Sequence, residues 1–139
     1  MPHLHLSLSP VPGRHPDHTQ LAQALTELTA LHLAKDPDLT AVRIARVPAQ
    51  DWFVARRSLA EQALASYHLE VQVTAGTNTE AQIGAWLQAV HRLLGEQLGA
   101  LHPASYAVVQ QLPASAWGYG GRSQLDRRLQ AAAEAVPAA

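Results

Sequence analysis

The chain has 139 residues, 47% apolar and 15% charged, with a formal net charge of -1 and no cysteine. That is enough chain for one domain with a real core; it excludes disulfide and thiolate chemistry, and no basic block points to nucleic acid. No apolar run approaches the roughly 18 residues of a membrane span, and the start lacks the basic and apolar regions of a secretory signal, so a cytoplasmic protein is expected.

Met1-Pro2 opens the chain, and the next residues alternate as a strand over about 2–9. Leu4, Leu6 and Leu8 lie on one face, and His3, His5 and Ser7 on the other. Proline beside the initiator permits trimming of Met1. The mature chain then begins with a secondary amine, whose lone pair is free to act as a base or nucleophile. Pro10, Pro12, Gly13 and Pro16 break regular structure. A helix is predicted over about 17–34, with Leu21, Ala24, Leu25, Leu28 and Leu31 as its apolar stripe, ended by Asp36-Pro37-Asp38. A second strand follows over 40–47, with Val42 and Ile44 on one face and Arg43 on the other.

Residues 54–66, rich in Ala, Leu and Arg, read as a solvated link that carries Arg56-Arg57. A third strand is predicted over 67–74 and a turn at Ala75-Gly76-Thr77-Asn78. Thr79 N-caps a helix that runs to Leu98, and the last long strand is 106–112. The tail, 127–139, has Arg127-Arg128 and then mostly alanine, and is expected to fray or to pack on a neighbour.

A shift of 65 positions superposes the two halves without a gap: His3-Leu4 on His68-Leu69, Pro48-Ala49 on Pro113-Ala114, Trp52 on Trp117. The expected fold is therefore α/β (α+β), a single domain over 1–126 made of two βαβ repeats, 2–53 and 67–121. Parallel pairing within each unit, by a right-handed crossover, gives a four-stranded mixed sheet with two helices on one face. The opposite face is expected to keep apolar side chains and to be covered by partner subunits.

Four stretches carry a resemblance: Met1-Pro2, Gly13-Arg14, Leu39-Thr40-Ala41-Val42-Arg43, and Trp117-Gly118-Tyr119-Gly120-Gly121. Together they make the chain similar to the tautomerase superfamily over residues 2–122. The early stretches resemble the short 4-oxalocrotonate tautomerase subunit, and the last resembles the hairpin at that subunit's end. Two units in tandem resemble the long-chain branch, with malonate semialdehyde decarboxylase and the chloroacrylate dehalogenases. The resemblance implies a ring of three chains, a small carboxylate or oxo-acid substrate, no cofactor, and Pro2 as general base. It implies that Arg43 serves catalysis by stabilising an enolate oxygen, and that Arg14 binds a substrate carboxylate. The Arg14 alignment needs a two-residue insertion around Pro10 to Pro12. Trp117 and Trp52 are implied walls of the substrate site, and Tyr119 a hydroxyl donor or a packing residue of the hairpin.

The leading function is thus a cofactor-free keto-enol tautomerase. The alternatives are decarboxylation or hydrolytic dehalogenation of a short acid, and a ring-forming scaffold without chemistry. The decarboxylase and dehalogenase relatives carry an arginine pair after the third strand, where this chain reads Thr74-Ala75-Gly76-Thr77-Asn78. Asp38 is the one acid placed near the decarboxylase's aspartate, and it also suits a turn. The eight histidines include two pairs, His3 with His5 and His15 with His18, but neither pair is a full ligand set at a recognised metal spacing.

Overall fold

Alternating leucines make β1 (His3–Ser9), whose Leu4, Leu6 and Leu8 are fully buried. The computed structural model describes residues 1–137. After the proline-rich loop, Asp17 caps α1 (His18–Leu33) by accepting from the Thr19 and Gln20 amides at 2.9 and 3.2 Å. Leu21, Leu25, Thr29 and Leu33 recur every four residues and form the buried stripe. Ala34, at φ 55°, ends the helix. β2 (Ala41–Arg46) returns parallel to β1.

The second unit repeats the plan. β5 (Ser66–Thr74) leads to α3 (Glu80–Leu98), which begins with a reciprocal capping box between Thr79 and Gln82. β6 (Tyr106–Leu112) lies parallel to β5. β1 and β5 pair antiparallel and join the units into one sheet of order β2-β1-β5-β6. Leu69, Val71 and Val73 continue the leucine face of β1, and that face packs on Leu21, Leu25, Trp86, Val90 and Leu94 of the helices. The buried Trp86 indole donates to the Thr29 hydroxyl at 3.1 Å and ties α1 to α3.

Three expectations need correction. The open face of the sheet is mainly polar, carrying His3, His5, Ser7, Arg43, His68, Glu70, Gln72 and Gln110; its larger apolar side chains are Tyr106, Val108 and Leu112. The expected apolar surface is thus confined to one edge strand, because polar residues alternate with the core leucines and valines on β1 and β5. The link over 54–66 is not a solvated connection but an ordered hairpin, β3 (Phe53–Val54) and β4 (Arg57–Ser58), followed by a short helix, α2 (Leu59–Gln62). Leu59 is fully buried and anchors it.

The tail is not frayed at its start. β7 (Gly118–Tyr119) and β8 (Arg122–Ser123) form the matching hairpin, and α4 (Gln124–Glu134) follows, so the boundary placed after Asp126 falls inside a helix. Residues 138–139 of the tail lie outside the described residues. The repeat therefore extends past Trp52 and Trp117. Ser58 and Ser123 both cap the following helix, and Arg57–Glu61 and Arg122–Asp126 are matching ion pairs at 3.4 and 3.2 Å.

Candidate active site

Pro2 enters β1 on the leucine side and is buried; its carbonyl accepts from the Ala41 amide at 3.2 Å. The amine at the chain start, on Met1, titrates below its ordinary value. Burial disfavours the ammonium form, the positive charge of Lys35 adds to this, and Asp36 opposes it. Lys35 is itself held below the usual lysine range by burial. Its ammonium donates to the Thr77 hydroxyl at 2.8 Å. Asp36 accepts from the Asp38 amide at 2.9 Å and so caps the turn that aims β2.

Arg43 lies on the other face. Its guanidinium donates to His5 Nδ1 at 3.1 Å, and the two line a shallow 90 Å³ pocket with His3, Glu70 and Gln72. Burial, and next the Arg43 charge, push the His5 imidazole below its usual range. Within one chain, Pro2 and Arg43 are therefore not brought together; strand alternation sends them to opposite sides of the sheet. Arg14 lies beyond the far end of β1 and donates to the Glu96 and Gln97 carbonyls at 2.9 and 3.4 Å. There it satisfies carbonyls in the last turn of α3.

Trp52 and Trp117 are both half-buried, and each accepts through its carbonyl from the first amide of the following helix at 2.9 Å. The Trp117 indole also donates to the Thr74 hydroxyl at 3.1 Å. Tyr119 packs under Arg127, whose guanidinium sits 3.7 Å from the ring centre and donates to the Tyr119 carbonyl at 2.9 Å. Among the described residues, no group of three or more His, Cys, Asp or Glu is placed to hold a metal ion, and no helix is long and apolar enough to cross a membrane.

No family model matches the sequence, and no curated protein matches it. Solved structures do match. A native fused 4-OT aligns at a TM-score of 0.76 and 24% identity, over 92% of this chain and 98% of that one. The chain has the fold of the fused 4-OT structures. A fused 4-OT described as a symmetric trimer aligns at 0.73 and 20% identity, over 88% and 98% of the two chains. A macrophage migration inhibitory factor-like protein from Entamoeba histolytica aligns at 0.69 and 12%, over 88% and 97%.

Within this fused fold the two units are chemically unequal. Pro2 falls on Tyr67, Lys35 on Ala100 and Arg43 on Val108, so the first unit alone carries the amine and both cations. Lys35 is the functional candidate that the sequence pattern did not single out. One signal was available: it is the only lysine among ten cationic residues.

Proposed function

We propose that the chain is a cofactor-independent keto-enol tautomerase of small 2-oxo or enol carboxylic acids, with Pro2, freed by loss of Met1, as general base. The observation that carries this reading is the electrostatic setting of the chain start. Burial and the Lys35 charge both lower the pKa of the amine on Met1. The buried Pro2, one residue on, would meet the same surroundings once Met1 is lost, and a neutral amine near working pH is what proton abstraction needs. The fused 4-OT fold supports it independently.

In the proposed reaction the Pro2 nitrogen takes a proton alpha to the substrate carbonyl, or the enol hydroxyl proton in the reverse sense. The electron pair moves onto oxygen as an enolate, and the pyrrolidinium gives the proton to that oxygen to form the enol. In the reverse sense it gives the hydroxyl proton to the alpha carbon, or to the far carbon of a conjugated dienol. Lys35 offers a cation for the substrate carboxylate or the developing oxyanion. Arg43 reaches a Pro2 only if that Pro2 belongs to a neighbouring chain, since its own lies across the sheet. A homotrimer, the state described for the symmetric fused 4-OT, supplies that neighbour. Trp52 and Trp117 are half-buried and are proposed as wall residues. Arg14 and Tyr119 are engaged within their own chain and contribute through the shape of the loop and hairpin they hold.

Tautomerisation is favoured over decarboxylation or dehalogenation by the turn after β5, Ala75-Gly76-Thr77-Asn78, which offers no arginine. Two measurements test the proposal. Intact mass should show the chain without Met1, because a retained methionine makes the Pro2 nitrogen a tertiary amide. Ketonisation of phenylenolpyruvate and 2-hydroxymuconate should fall about 10²–10⁴-fold in Pro2→Ala. Equal rates for the two proteins overturn the assignment.

A further inference from the structure

We infer that the second unit carries a binding site of its own for a small carboxylate with an apolar tail, built on Tyr67, His91 and Gln88. The site is a cleft of about 310 Å³ between β5, α3 and β6, lined by Tyr67, Leu87, Gln88, His91, Ser105 and Ala107. The cleft is shallow and open to solvent along one side, which suits a small ligand held at one end.

The repeat shows what is new here. In the first unit the matching cleft, about 380 Å³, is lined by Ala22, Gln23, Thr26, Thr40 and Val42 among others. Those five fall on Leu87, Gln88, His91, Ser105 and Ala107. The second unit thus has an imidazole where the first has a threonine, and the phenol of Tyr67 at the strand position of Pro2.

The phenol sets the imidazole's tautomer. Tyr67 is 2% exposed, and its hydroxyl lies 2.8 Å from His91 Nδ1. Burial raises the phenol above its usual range, so it keeps its proton. If Nδ1 were the donor, the phenolic hydrogen would have to turn to solvent in the cleft, since no other protein group bonds it among the described residues. The phenol therefore donates to Nδ1, and the neutral imidazole carries its hydrogen on Nε2. His91 is exposed, and Nε2 makes no hydrogen bond among the described residues; neither does the Gln88 amide.

The cleft so holds unengaged N–H donors, while the Ser105 hydroxyl is already occupied by the His102 carbonyl and Ser66. Leu87 and Ala107 supply apolar wall. Donors at one end and apolar surface beside them suit a carboxylate with a short hydrocarbon tail. A cationic ligand would find no carboxylate among the lining residues and one unengaged acceptor, the Gln88 amide oxygen.

The test uses butyrate, which has no keto group and offers nothing for a tautomerase to turn over. In ¹H–¹³C spectra of the full chain, butyrate should shift the His91 ring and Leu87 methyl resonances saturably at millimolar concentration. His91→Ala should weaken binding about tenfold or more, as expected for loss of a charge-assisted hydrogen bond. Tyr67→Phe should weaken it less, because the imidazole stays but loses its fixed tautomer. Pro2→Ala should bind as wild type, which separates this site from the chain start. Absence of saturable shifts, unchanged affinity in His91→Ala, equal shifts from n-butylamine, or loss of binding in Pro2→Ala would each overturn the assignment.

Discussion

Lys35 donates to the Thr77 hydroxyl at 2.8 Å, and Thr77 donates in turn to the Thr74 carbonyl at 2.6 Å. The end of α1 is thereby latched to the turn after β5, which keeps the chain's one ammonium side chain beside the chain start. That latch links the two units at the place where the proposed chemistry occurs.

Lys35 and Asp36 push the chain-start amine in opposite directions, so their variants should do the same to activity. The base acts when deprotonated. Lys35→Met removes a cation that lowers the amine's pKa, and the acid limb of the kcat/KM profile should move to higher pH. Asp36→Asn should move it to lower pH. The pH profile of each variant checks this, and shifts of the same sign would refute the electrostatic account.

Arg43 should govern the titration of His5. Burial and Arg43 both hold the imidazole below its ordinary range, so Arg43→Ala should raise its midpoint in an NMR titration. The sign for stability follows. The unfolded chain binds the His5 proton more readily, so this contribution is full above about pH 6.5 and is lost as pH falls through the folded value. The pair is largely exposed and the slope should be shallow. A flatter unfolding-midpoint profile in His5→Asn below neutrality would confirm it.

The first-unit hairpin should accept glycine. Its turn puts Ala55 and Arg56 at φ 53° and 66°, where the second hairpin has Gly120 and Gly121. A side chain in that region costs about 1–2 kcal/mol, offset by glycine's greater freedom when unfolded. Ala55→Gly should therefore stabilise by about 0.5–1 kcal/mol in urea unfolding. Gly118→Ala should act oppositely, because a Cβ there collides with the Arg122 carbonyl.

Thr29→Val should destabilise by about 1–3 kcal/mol despite its matched shape, since it leaves the Trp86 N–H buried without an acceptor. Denaturant unfolding measures the loss directly. A neutral result would show that the indole finds another partner.

The amino-acid sequence by itself determined the four long strands, α1, α3 and their order, but not the first hairpin, α2 or α4. Leucine alternation marked β1, the apolar stripe of Leu21, Ala24, Leu25 and Leu28 marked α1, Thr79 marked the start of α3, and the 65-residue shift marked two βαβ units; Leu31, placed on the same stripe, is exposed. These are local signals, since a period of two or of 3.6 residues states which side of an element is apolar. It also placed Arg43 opposite Val42 and Ile44. Alternation likewise put Pro2 on the leucine face, while the tertiary structure decided the β1–β2 register that sets Arg43 beside His5 and across the sheet from Pro2. It also decided that Arg14 is spent on the end of α3, that Arg127 covers Tyr119, and that Lys35 stands beside the chain start. Each of these depends on residues far apart in the chain being packed together, and local periodicity does not specify which elements become neighbours or at what register.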